Sequence, residues 1–213
     1  MKIVLLSDTH AANLVNVPLG DVLIHCGDFS PGRGTELDLI RFNQWLGSLP
    51  HKLKIVSPGN HDIFVEQSPA IARQLFTNAT LLIDEPFEYE GKKFYFSPYT
   101  PSFGRGWAFN RNRGEDIKYH WDKIPAGLDL LVTHGPPAGT LDKVNQMYGQ
   151  EQSPHAGCWH LRDRILQVTP RFHAFGHIHE SYGQETKDST TYINCAIVDL
   201  YHRPSNLPIV IEI

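Results

Sequence analysis

Residues 53–62 read LKIVSPGNHD: an apolar run, Leu53 to Ser57, then Pro58 and the cluster Gly59-Asn60-His61-Asp62. A short Val- and Ile-rich run without alternation suits a strand covered on both faces. The cluster that ends it gathers an amide, an imidazole and a carboxylate at the strand's carboxyl end. Four further runs end the same way. Lys2 to Ser7 precedes Asp8-Thr9-His10, and Val22 to Cys26 precedes Gly27-Asp28. Leu128 to Thr133 precedes His134-Gly135, and Arg171 to Phe175 precedes Gly176-His177-Ile178-His179.

Helical signals fall between several of these strands. Thr35 is an N-cap candidate for a segment to about Ser48, with Leu39, Phe42, Trp45, Leu46 and Leu49 at helical spacing and Pro50 beyond. Ser68-Pro69 opens a shorter helix to Phe76, and Cys158 to Val168 reads as another before Pro170. Phe87 to Tyr89 and Lys92 to Phe96, joined by Glu90-Gly91, predict a hairpin. Thr191 to Cys195 and Leu207 to Ile211 predict strands in the tail. The residues themselves therefore define an α/β chain with extra hairpins. Pro98 to Arg113, crowded with Gly, Pro, Arg and aromatics, has no period and reads as a functional loop.

The chain has 213 residues, of which 41% are apolar and 20% charged, which is the composition of a globular protein. No linker or repeat divides it, so one domain over residues 1–213 is expected. Lys and Arg number 19 against 23 Asp and Glu, a net charge of −4. That balance holds no surplus to bind nucleic acid nonspecifically, and a phosphate-bearing substrate must be gripped locally. Cys26, Cys158 and Cys195 are odd in number and form no C-x-x-C pair, which fits a reducing compartment better than a disulfide scaffold. The run after Met1 is too short for a signal peptide and no stretch suits a membrane span, so a cytoplasmic protein is expected.

In open α/β sheets ligands bind beyond the carboxyl ends of the strands, so the five clusters converge on one rim. Asp8, His10, Asp28, Asn60, His61, His134, His177 and His179 meet there. Turn chemistry explains Gly, Asn and Asp but has no use for repeated His; the chain has 12. Oxygen and nitrogen donors without thiolate suit Mn²⁺, Fe or Zn²⁺, and eight such residues exceed what one ion needs. Two cations bridged by a carboxylate form the arrangement that drives phosphoryl displacement.

The order D-x-H, G-D, G-N-H-D, His-Gly and G-H-x-H resembles the calcineurin-like metallophosphoesterase superfamily. Gly104 to Asn110, Thr133 to Pro137 and Thr191 to Asn194 are similar to its metallophosphoesterase-domain-containing branch. Some members of that branch carry Gly at the first His of the final motif; this chain keeps His177. The resemblance implies a four-layer α/β/β/α sandwich of two mixed β-sheets flanked by helices. It implies two divalent ions, with manganese favoured: Asp8, His10 and His179 on one, Asn60, His134 and His177 on the other, and Asp28 on both. A metal-bridging hydroxide is the implied nucleophile and His61 the implied general acid, with Asp62 either orienting His61 or serving only as a helix-start carboxylate.

The function so implied is phosphoester hydrolysis, with a phosphodiester such as a cyclic or small nucleotide as substrate. A phosphomonoesterase, a protein phosphatase and a non-catalytic binding module that retains the fold are the alternatives; a nuclease fits the acidic balance less well. For substrate binding, Arg105, Arg111 and Arg113 are candidates for phosphate, with Trp107, Phe103 or Phe109 stacking a base. His25 and His173, inside apolar strands, read as satisfied core imidazoles, and His51, His120, His155, His160 and His202 lack a ligand-like context.

Overall fold

The structure is a computed structural model that describes residues 1–12, 16–144 and 155–213. The chain begins with β1 (Lys2–Leu6), β2 (Val22–His25), α1 (Glu36–Gly47), β3 (Leu53–Val56), α2 (Ile63–Gln67), α3 (Pro69–Leu75) and β4 (Thr80–Leu81). The hairpin β5 (Glu85–Tyr89) and β6 (Lys92–Ser97) follows, then β7 (Thr100–Pro101), β8 (Asn110–Arg111), α4 (Glu115–Trp121) and β9 (Leu130–Thr133). α5 (Trp159–Val168), β10 (Phe172–Phe175), a 3₁₀ turn (His179–Ser181), β11 (Gly183–Lys187), β12 (Thr190–Asn194) and β13 (Ile209–Glu212) complete it.

Local chemistry accounts for the boundaries. Thr35 and Asp38 form a reciprocal capping box at the start of α1, whose Leu39, Phe42 and Leu46 are buried. Glu90 and Gly91 both have positive φ, 49° and 72°, the two-residue turn that matches the twist of a hairpin. Ser68 and Pro69 open α3 as expected. The elements without a sequence forecast are short: α2 is little more than one turn, and α4 buries only Ile117, His120 and Trp121 within a polar segment.

Two mixed sheets result. The first has the order β13-β1-β2-β3-β4, parallel except for β13; the second has β11-β12-β10-β9-β6-β5, parallel at its centre and antiparallel at both edges. Ile3, Leu5, Val22, Ile24 and Ile55 on one face of the first sheet pack directly on Phe94, Phe96, Leu130, Val132, Ala174 and Ile193 of the second. The opposite face of the first sheet, with Val4, Leu6, Leu23 and Val56, is covered by α1, α2 and α3. The outer face of the second, with Tyr95, Leu131 and Tyr192, is covered by α4 and α5. This is the four-layer α/β/β/α sandwich that the resemblance implies, and its near-continuous apolar strands are those of sheets buried on both faces.

The carboxyl ends of β1, β2 and β3 lie side by side, with Leu6 opposite His25 and His25 opposite Val56. In the second sheet β9 and β10 are likewise neighbours. The chain leaving β12 joins the two sheets at this rim, where Ser7 pairs with Ala196 and the Ile197 N–H donates to the Ser7 carbonyl at 2.9 Å. The Pro98 to Arg113 segment is a loop closed at its base by the short parallel pair β7 and β8 and tied to the rim through Ala108 N–H to the Asn60 carbonyl, 3.0 Å. Among the described residues no helix is long and apolar enough to cross a membrane.

Candidate metal centre

Tight turns at the five strand ends aim the polar side chains into one space. Asp8, His10, Asp28 and His177 have φ of 53°, 43°, 57° and 67°, a left-handed backbone that Asp and His tolerate better than most residues and that collects at functional sites. Gly176 and Gly59 are needed where they stand. A side chain at Gly176 would collide with the Asp8 carboxylate, and one at Gly59 with Asp28.

The imidazoles are oriented by one device. His10 Nδ1 bonds the Ser30 carbonyl at 3.2 Å, His61 Nδ1 that of Gly32 at 2.6 Å, His134 Nδ1 that of Cys26 at 3.0 Å and His179 Nδ1 that of Asp199 at 3.1 Å. Each ring so held donates from Nδ1 and turns Nε2 into the site, the way metal-ligating histidines are fixed. His134 Nε2 then lies 2.9 Å from Asn60 Oδ1 and 3.3 Å from Asp28 Oδ2. Three atoms bearing lone pairs face one another, an arrangement stable only with a proton or a cation among them. Asp28 and Asp8 raise the pKa of buried His134 to about 10, against the opposing effect of burial.

The neighbouring group tells the same story. Asp8 Oδ1 and His10 Nε2 are buried without any hydrogen-bond partner. His179 Nε2 is 3.3 Å from Asp8 Oδ1 but without hydrogen-bond alignment. Burial lowers the pKa of His10 to about 4 and of His177 to about 3, so both rings are neutral and can donate a lone pair. Burial opposes the ionisation of Asp8 and Asp28, yet the facing histidines hold both carboxyls below the usual range. Asp28, His134 and His177 offer one ligand atom each within 4.8 Å of one another, as do His10, Asp28 and His61. Orphaned buried acceptors, ionised carboxylates and neutral imidazoles make a donor set that fits divalent cations.

The other residues singled out from the sequence take varied places. His61 stands at the mouth, its ring 4.6 Å from that of Trp107 and its Nε2 3.9 Å from Asp28 Oδ2. Asp62 does not hold His61. Its carboxylate, 1% exposed, accepts the backbone N–H groups of Gly59 (2.8 Å), Asp28 (3.0 Å) and Ser30 (3.0 Å), because the α2 start places it behind both ligand loops, away from the ring. Burial and the nearby Asp28 raise its pKa to about 7 against those three bonds.

In the Pro98 to Arg113 loop, Arg111 is occupied by Glu66 at 3.2 Å and lies over the Tyr99 ring, while Arg113 donates to the carbonyls of Gly157 and Ala156. Both guanidinium groups are thus engaged by the protein itself, although Arg113 also lines a cavity that it shares with Phe103, Gly135 and His177. Phe109 is buried in the core. Phe103 lies against His177, with ring centroids 5.1 Å apart, and Arg105 is exposed. His25 and His173 bond Thr9 and Thr133 hydroxyls at 3.0 and 2.8 Å inside the fold. His202, passed over in the sequence, stacks on His10 at the mouth; nothing local marks it, because the turn that carries it arrives 23 residues after His179.

An α/β/β/α sandwich with this rim defines a metallophosphoesterase-type protein. The family model for calcineurin-like phosphoesterases matches residues 1–190, and the chain belongs to that family of metal-dependent phosphoester hydrolases. It is 38% identical over 237 aligned positions to human metallophosphoesterase domain-containing protein 1, covering all of this chain and 71% of that one. It is 37% identical to a UPF0046 protein of Caenorhabditis elegans, covering all of this chain and 81% of the other. Among solved structures it resembles the phosphopantetheinyl hydrolase of Mycobacterium tuberculosis, with a TM-score of 0.61 at 14% identity, over 92% of this chain and 89% of that one; this is a likeness of fold.

Proposed function

We propose that residues 1–213 act as one metallophosphoesterase domain that hydrolyses a phosphodiester, a cyclic or small nucleotide being the substrate class. Asp8, His10 and His179 hold one divalent cation in this reading, Asn60, His134 and His177 the other, and Asp28 both; manganese is the ion we assign. When bound, the cations supply a water activated for attack on phosphorus and offset phosphoryl charge. The observation that carries the reading is the cluster at His134 Nε2, which lies 2.9 Å from Asn60 Oδ1 and 3.3 Å from Asp28 Oδ2 while Nδ1–H is given to Cys26, so that on the neutral ring three lone-pair atoms converge.

The protein's own groups divide the work. His61, anchored through Nδ1 on Gly32, keeps Nε2 free at the mouth to hold a proton and pass it to the leaving oxygen. Asp8 and Asp28, both buried, provide the negative charge that retains the cations. Trp107, against His61, and the exposed Arg105 are the loop residues that face an incoming substrate. The compartment we assign is the reducing cytoplasm, on the usage of cysteine.

The test is cleavage of bis-p-nitrophenyl phosphate and p-nitrophenyl phosphate by metal-stripped protein resupplied with Mn²⁺, Zn²⁺ or Fe²⁺, beside Asp28→Asn. Metal-dependent cleavage of the diester, abolished in a folded Asp28→Asn protein, is the expected result. Preference for the monoester would replace the diesterase with a phosphatase. Absence of cleavage in a protein that binds two cations would favour a binding module.

A further inference from the structure

We propose that His202 is a phosphoryl-binding residue of the metal centre, donating a hydrogen bond from its ring to a substrate oxygen without ligating a cation. The inference rests on the reading of the rim as a site for divalent cations and a phosphoryl group. Its ring lies face to face with His10, centroids 4.2 Å apart and planes within 1° of parallel, and also borders His179 (5.6 Å) and His61 (6.1 Å). One ring nitrogen of His202 sits within 4.8 Å of a nitrogen on each of His10 and His179.

Geometry separates the two roles open to such a ring. An imidazole binds a cation along a lone pair in its own plane. Parallel rings stacked at this distance share no in-plane point, so the in-plane lone pairs of His10 and His202 cannot both aim at one ion. A phosphoryl group reaching the site from the open side would instead meet the exposed His202 ring, where it stacks over His10. Among the described residues no hydrogen bond occupies either nitrogen of this ring, although three other histidines border it.

The backbone is built to hold the ring there. His202 has φ of 56°, within a turn whose hub is Asp199. The Asp199 carboxylate accepts the N–H groups of Tyr201 and Arg203 and the Arg203 guanidinium, at 2.6–3.0 Å. The Asp199 carbonyl accepts both His202 N–H at 2.9 Å and His179 Nδ1–H at 3.1 Å. One carbonyl therefore fixes the orientation of a ligand candidate and the turn that carries His202. A left-handed residue maintained by such a set of bonds at the mouth of a site is strain stored where function needs position.

The experiment compares wild type, His202→Phe and His202→Gln, each loaded with Mn²⁺, by calorimetric titration with inorganic phosphate and by metal content from mass spectrometry. Phenylalanine preserves the stack on His10 but has no N–H; glutamine restores a donor of similar reach. The side chain is exposed, so the fold does not depend on it. We expect both variants to retain the wild-type metal content, with phosphate binding weakened about tenfold in His202→Phe, the worth of one hydrogen bond to a charged group, and largely recovered in His202→Gln. Phosphate affinity unchanged in His202→Phe would make the ring mere packing and overturn the proposal. Loss of a cation from that variant would make it a ligand and overturn it equally, as would wild-type protein that takes up Mn²⁺ but no phosphate. If wild type binds phosphate but cleaves neither p-nitrophenyl ester, the hydrolase reading falls and the His202 assignment is still decided by the titration.

Discussion

Replacing Asp62 separates two accounts of that residue. If its carboxylate orients His61, Asp62→Ala should slow turnover on substrates with poor leaving groups and leave stability alone. The bonds say otherwise. Asp62 accepts three buried backbone N–H groups, from Gly59, Asp28 and Ser30, and thereby clips the loop after β2 to the loop after β3. Truncation to Ala orphans all three donors, at about 1–3 kcal/mol each. Removing a carboxyl whose ionisation burial already opposes returns part of that loss, so the net destabilisation expected is about 2–5 kcal/mol. Asp62→Asn is isosteric and keeps an acceptor oxygen, but its amide N–H₂ confronts a backbone N–H, so it should fall between wild type and Ala. Because Asp28 carries the metal reading, both variants should also bind Mn²⁺ more weakly, Ala by tenfold or more on the scale of a lost orienting partner. Urea unfolding followed by tryptophan fluorescence, and Mn²⁺ titration against a chelator, measure the two effects. An Asp62→Ala protein within about 1 kcal/mol of wild type, with unchanged Mn²⁺ affinity, would refute the clip.

Two more expectations concern other histidines. His61→Ala should keep its metal content and lose turnover chiefly on alkyl phosphodiesters, whose leaving oxygen needs a proton, and far less on aryl ones; equal losses on both would remove His61 as the acid. His173, buried and held neutral with its pKa lowered to about 3, makes stability depend on pH. Below about pH 6.5 the unfolded chain binds a proton there that the folded chain refuses, so stability falls as pH falls. Between pH 7 and 5 the loss attributable to this residue is about 2 kcal/mol, and His173→Gln should be less sensitive to that change in urea unfolding by the same amount.

What could be read from the sequence was what is local. An apolar run that ends in Asp, His, Asn or Gly reports both a buried strand and the chemistry at its tip within ten residues, so β1, β2, β3, β9 and β10 and the residues at their ends were visible together. Thr35 and Asp38 announce α1 for the same reason. What stayed hidden is non-local. Nothing near Asp62 shows that its acceptors serve backbone 32 and 34 residues away as well as Gly59. Nothing near Arg111 or Arg113 shows that Glu66 and the carbonyls of Ala156 and Gly157 engage them. His202 reaches the mouth only because the chain after β12 crosses to β1 at Ser7 and Ala196.

The centre straddles the layers, and this explains its strain. Asp8, His10, Asp28 and Asn60 come from the first sheet, while His134, His177 and His179 come from the second, over a core that fixes the distance between them. Two buried carboxylates repel each other across that junction, and the fold answers with imidazoles. His179 and His134 lie 3.3 Å from Asp8 and Asp28, and both have raised pKa values because those carboxylates favour a proton on them. A cation satisfies several lone pairs where a proton satisfies one bond, and His10 Nε2 and Asp8 Oδ1 are buried with no hydrogen-bond partner among the described residues. A sequence that keeps four of these residues in the left-handed region, and leaves buried acceptors unpaired, has given up local stability at the one rim where binding can return it.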